Sequence, residues 1–193
     1  MESTPPSREQ AWNLLCEYTQ SDSLRKHALA VEAAMRAHAV QYGEDVESWG
    51  IVGLLHDFDY ERWPDAENHP MRGVEILEAR GYPEAWRRAI LGHASYTGVP
   101  RDTLMARALF AVDELCGFVT AVALVRPSKR LADVEPRAVR KKMKEKGFAR
   151  SVNREEIVQG AEELGVDFDE HVSFVIAAML TIASTLGLEG TAG

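Results

Sequence analysis

Chemistry in this chain would have to come from its histidines and the acids beside them. The most abrupt placement is His56-Asp57, where the apolar run Ile51-Val52-Gly53-Leu54-Leu55 ends at once in an imidazole followed by a carboxylate. Taken alone, the pair fits a cation at a helix C-terminus and an aspartate opening a turn. Its context argues for more. His27 falls on the Leu24/Val31 side of a helical stretch, where an apolar residue would be usual, and Asp113 interrupts Leu109-Phe110-Ala111-Val112 and Leu115. A core-facing aspartate is costly unless it is paired, hydrogen-bonded or metal-bound. Two imidazoles and two carboxylates from separate helices suit a divalent ion such as Mn, Fe, Co or Mg, and the missing thiolate argues against structural zinc. Such an ion lowers the pKa of its water, giving a nucleophile at neutral pH.

The elements that position these residues read as helices almost throughout, with no run of alternating apolar and polar residues. Ser7 and Gln10 form a capping-box pattern for a first helix that ends near residue 20. A second begins near 21–23 and closes at Gly43. A third spans about 46–55, and 60–68 reads as loop. Pro70 fits the first turn of a fourth that Gly81 terminates, and Pro83 opens a fifth ending near His93. A sixth runs from about 103 to 125, stopped before Pro127. Shorter helices follow over about 135–146 and 153–164, then one apolar helix over about 169–186, expected to serve as core or as a homodimer contact. The tail from Gly187 is expected to fray. The chain thus reads as all-α: one domain over 1–193, a bundle of about eight or nine helices. Its core lies at about 21–126, with the helices of about 127–186 packing on it.

The composition, 46% hydrophobic and 27% charged, is that of an ordinary globular protein. No stretch approaches the roughly 20 apolar residues of a bilayer span, and the polar start with two prolines does not read as a signal peptide. A cytoplasmic location and no membrane partner are expected. A net charge of −8 argues against duplex nucleic acid as a partner. The cations concentrate between Arg126 and Arg154. That run reads as a solvated helix surface, from which Arg126 and Lys129 are the best candidates to grip substrate phosphates. Cys16 and Cys116 read as reduced, packed thiols. His38, flanked by Arg36 and Gln41, reads as surface, and His171 as structural. Asp59 and Glu114 read as exposed carboxylates that could orient ligands.

In order and helical context, His27, then His56-Asp57, then Asp113 resembles the H…HD…D signature of the HD-domain superfamily of metal-dependent phosphohydrolases, over roughly residues 24–125. His69, opening the fourth helix, and His93, ending the fifth, extend the likeness to the six-ligand branches. There the resemblance implies a second ion held by His69 and His93, with Asp57 as the shared, catalytic carboxylate. It further implies a small phosphorylated, nucleotide-like substrate. The chain lacks the paired histidines of the cyclic-di-GMP-degrading branch. The same ligand set occurs in HD-type di-iron oxygenases, and a non-catalytic HD binding module is the third reading.

Overall fold

A computed structural model describes residues 5–190, so the first four and last three residues of the sequence-based reading lie outside it. Among the described residues there are ten α-helices and no multi-residue strand: α1 (Arg8–Tyr18), α2 (Asp22–Tyr42), α3 (Val46–Leu55), α4 (Met71–Ala79), α5 (Glu84–His93), α6 (Leu104–Leu124), α7 (Pro136–Met143), α8 (Arg154–Leu164), α9 (Phe168–Leu180) and α10 (Ala183–Leu186). Short 3-10 turns occur at Ser95–Thr97 and Leu131–Asp133. The protein is all-α, as its periodicity predicts. Contacts divide it into two compact units, one ending at Phe110 and the other beginning at Ala111, inside α6.

The first unit is organised by α3, which packs on α1, α2 and α5. From Trp49 to Leu55 every residue of α3 is buried, as expected of a helix apolar on all sides. Close approach to α2 depends on Gly53, where a Cβ would sit 2.9 Å from Met35 Cγ and 3.0 Å from the Val31 carbonyl oxygen. Local signals fix the ends. The Ser7/Gln10 capping box is formed, Ser21 and Asp45 cap α2 and α3, and Gly43 ends α2 at φ +71°. Buried Glu32 on α2 takes Arg8 at 2.7 Å and Arg36 at 3.0 Å, and Arg36 continues to Glu47 at 2.7 Å, tying α1, α2 and α3 together. Gly81-Tyr82-Pro83 is a helix boundary: Gly81 has φ +79° and Pro83 stands at the N-cap of α5.

The second unit is built on α9, which packs on α7, α8 and the Leu131–Asp133 turn. Two expectations fail there. The final apolar stretch is not one helix: α9 stops at Leu180, Ile182 leaves helical geometry at φ −126° and ψ 21°, and α10 follows. Nor does the tail fray from Gly187. The Leu188 carbonyl accepts the Leu131 N–H at 2.8 Å, Leu188 is buried, and Glu189 bridges Arg130.

Candidate metal centre

Four pieces of the first unit converge. His27 comes from the second turn of α2 and His56 is the residue on which α3 ends. His69 precedes α4, with a cis bond to Pro70, and His93 is the last residue of α5. Asp57 stands where α3 gives way to a series of turns. That segment is anchored from α1: the Thr19 hydroxyl donates to the buried Phe58 carbonyl at 2.9 Å, and Glu61 accepts the Gln20 and Ser21 N–H groups.

The imidazoles form a chain. Ring centres lie 5.2 Å apart for His27–His56, 5.3 Å for His56–His93 and 5.3 Å for His93–His69. Asp57 stands among them. Its Oδ2 is 3.5 Å from His56 Nε2, while its Oδ1 is 3.2 Å from both His69 Nε2 and His93 Nε2. One ligand atom from each of His27, His56 and Asp57 lies within 4.8 Å of the others, and the same holds for Asp57, His69 and His93. The two trios share Asp57.

The opposite ring nitrogens decide whether these donors suit a cation. His56 Nδ1 lies 2.8 Å from the Gly53 carbonyl oxygen, and His93 Nδ1 lies 2.5 Å from that of Ile90. His69 Nδ1 lies 2.8 Å from Asp59 Oδ1. Carbonyl and carboxylate oxygens only accept, so each Nδ1 carries a proton, and when the ring is neutral it is the Nε2 lone pair that faces Asp57. That is the tautomer a metal ligand needs, fixed from behind as ligating histidines usually are. The donor set fits a divalent ion.

Electrostatics agree. Burial works to raise the Asp57 carboxyl, but His56, His69 and His93 overcome it and hold the group well below the ordinary carboxylate range. Burial likewise opposes charge on His69, yet its hydrogen bonds to Asp57 and Asp59 raise it to about 9. Without a cation, then, a proton on His69 offsets the charge of Asp57.

Several readings need correction. Asp59 is not an exposed carboxylate: it is fully buried, its Oδ1 on His69 and its Oδ2 accepting the Gly73 N–H at 2.8 Å. The signal available was its position two residues after Asp57 at the end of an apolar helix. Glu114 accepts the Asn153 N–H at the start of α8, within the second unit. His38 is not a surface residue: it is buried and stacks on Tyr42, ring centres 5.6 Å apart. His171 is buried, with Nε2 3.0 Å from the Ala111 carbonyl oxygen, and burial lowers its pKa. The buried Cys116 thiol is pushed well above its ordinary value, first by burial and then by Asp113, which leaves no reactive thiolate. Sequence reasoning also missed two aromatic neighbours of His69: Tyr60, its ring edge-on at 5.2 Å, and Tyr96, whose hydroxyl donates to the His69 carbonyl at 2.9 Å.

Asp113 lies on α6 in the second unit. Arg126 and Lys129 follow that helix, Lys129 exposed in a turn at φ +48°.

A helical frame presenting Nε2 donors around a shared carboxylate fits a site for a divalent metal. Residues 24–116 match the family model described as HD domain, and the chain carries an HD domain over that stretch. Members of this family bind divalent metals and are generally metal-dependent hydrolases. No curated protein and no solved structure matches the chain. No helix among the described residues is long and apolar enough to cross a membrane.

Proposed function

We propose that the chain is a cytoplasmic phosphohydrolase using two divalent ions, Fe, Mn, Co or Mg. It would cleave a phosphoester or phosphoanhydride of a small, nucleotide-like molecule. One ion would be held by His27, His56, Asp57 and Asp113, the other by Asp57, His69 and His93. The observation that carries this reading is the division of Asp57, Oδ2 toward His56 and Oδ1 toward His69 and His93. Asp113 would complete the first set: it lies on α6 inside the matched stretch, where the H…HD…D pattern has its last carboxylate.

When bound, such ions supply a water acidic enough to act as nucleophile near neutral pH and neutralise phosphoryl charge. The protein's own part is positional. Asp57 stays ionised and the Nδ1 protons stay fixed by their acceptors, so accepting a metal asks only for loss of the proton on His69 Nε2. Arg126 and Lys129 make no ion pair among the described residues and are proposed to contact substrate phosphates. The net charge of −8 keeps duplex nucleic acid out of the reading.

The test is a panel of phosphomonoesters, phosphodiesters and dinucleoside polyphosphates supplied with Mn or Co, run beside Asp57→Ala. Hydrolysis of at least one class is expected, falling on the order of 10³-fold in the variant. Activity indifferent to the substitution and to chelation would refute the proposal. Bound iron with a mixed-valence signature and no hydrolysis would replace it with oxygen chemistry.

A further inference from the structure

The three site histidines with a resolved Nδ1 partner are not held alike. His56 and His93 rest on neutral carbonyls of their own helices, Gly53 and Ile90. His69 alone rests on a side-chain carboxylate, Asp59. That carboxylate is itself held in a fixed orientation, because its other oxygen takes the N–H of Gly73 in the first turn of α4 at 2.8 Å. Pro70, at the head of α4, provides no side-chain cap, so Asp59 caps that helix from outside it. The approach requires glycine: a Cβ at residue 73 would fall 2.7 Å from Asp59 Cγ and 2.8 Å from its Oδ2.

We propose that Asp59, set by Gly73, is the positioning residue that creates the second metal site, by locking the His69 tautomer. The inference rests on the two-ion reading above. Its logic concerns donors and acceptors. An ionised carboxylate can accept from both the Gly73 N–H and the His69 Nδ1–H, leaving the His69 Nε2 lone pair for a cation. An asparagine of the same shape cannot do both jobs. If its oxygen stays on the Gly73 N–H, its amide N–H₂ faces His69 Nδ1, which must then accept. The ring proton moves to Nε2 and blocks the metal position. If the amide flips to keep Nδ1–H satisfied, two donors face each other at Gly73. Either way the second ion loses affinity, while the trio of His27, His56 and Asp57 keeps its supports. Loss of such an outer partner typically weakens metal binding by about 10–100-fold.

The experiment is titration of the metal-free full-length chain with Mn²⁺ alone, read by calorimetry and by counting retained ions. Wild type, Asp59→Asn, Gly73→Ala and His69→Gln are compared after circular dichroism confirms equal helix content. Wild type is expected to bind two ions. Asp59→Asn should keep one at wild-type affinity and bind the other about 10–100-fold more weakly, as His69→Gln should more severely. Gly73→Ala, which displaces the carboxylate without changing any titratable group, should lose the same ion. In Zn-loaded, ¹⁵N-labelled protein, His69 should be protonated at Nδ1 in wild type and at Nε2 in Asp59→Asn. Two ions bound by Asp59→Asn with unchanged affinities, or equal weakening of both, overturns the inference and leaves the two-ion reading standing. A wild-type chain that binds fewer than two ions overturns that reading itself.

Discussion

Two regions of this molecule are dense in titratable side chains, and they behave in opposite ways. At the candidate metal centre of the first unit, His56 and Asp59 are fully buried and His69 and His93 nearly so, and the Nδ1 atoms turned away from Asp57 are held by named partners. In the basic segment of the second unit, Arg137, Lys141, Lys144 and Lys146 are exposed. The ion pairs it does make, Arg137–Glu135, Arg140–Asp169 and Lys142–Glu145, join partners that are themselves largely in water. Exposed pairs of this kind contribute about 0–1 kcal/mol. A buried polar group must find a partner or cost far more. Density of charge along a sequence therefore says little about function. Mutual constraint among buried groups says more.

The largest effect that would sharpen this contrast is at Asp57, where both trios fail together, as tested above. Next comes the pH dependence of metal binding. Because His69 sits at about 9 in the metal-free protein, a cation must displace its proton at neutral pH. Mn²⁺ affinity should therefore rise by up to about tenfold per pH unit between pH 7 and 9 and level off above that. Stability of the metal-free protein moves the other way. Against an unfolded value near 6.5, the raised pKa contributes fully below about pH 6.5, and that contribution, about 3 kcal/mol at most, disappears as pH rises through 9. Urea titrations at pH 6 and pH 9.5 should show the loss in wild type and a flatter profile in His69→Gln. A metal affinity that does not change across this range would mean that His69 is not a ligand.

A smaller effect tests the packing that brings His27 and His56 together. The Cβ of Gly53→Ala would meet the Val31 carbonyl and the Glu32 Cα at 3.0 and 3.1 Å, backbone that cannot swing away as the end of a side chain can. The helices must part, at a cost of about 1–3 kcal/mol, visible as a lower urea midpoint. Weaker Mn²⁺ binding should accompany it. Wild-type stability would show that α2 and α3 have room to spare.

What could be read from the sequence followed how local each signal is. Helix ends set by a residue and its own neighbours, such as Ser7 with Gln10, Gly43 and Pro83, were legible to within a few residues. The clustering of His27, His56 and Asp57 was legible because an imidazole or carboxylate breaking an apolar run is itself a local anomaly. Groups whose meaning depends on a distant partner were not. Asp59 looks like one more acid until Gly73 and His69 arrive from 14 and 10 residues away. His38 looks exposed beside Arg36, but Arg36 is drawn inward by the buried Glu32. The break after Leu180 carries no proline or glycine. It lets Ala183, Leu186 and Leu188 bury, and Leu188 meets Leu131 from the far side of the unit.

The smallest expected effect is the one most able to break the comparison. Lys141, Lys144 and Lys146 have no ion-pair partner among the described residues. Lys141 lies in the last turn of α7 and Lys144 caps it, where a cation interacts favourably with the helix dipole by about 0.3–1 kcal/mol at low salt. Replacing all three by alanine should lower stability by no more than about 1 kcal/mol, and adding salt should shrink the difference by screening what remains. Mn²⁺ stoichiometry and affinity should be unchanged. A fall in metal binding, or a loss of several kcal/mol that persists in high salt, would show that these lysines are held as tightly as the histidines, and the contrast between the two regions would be wrong.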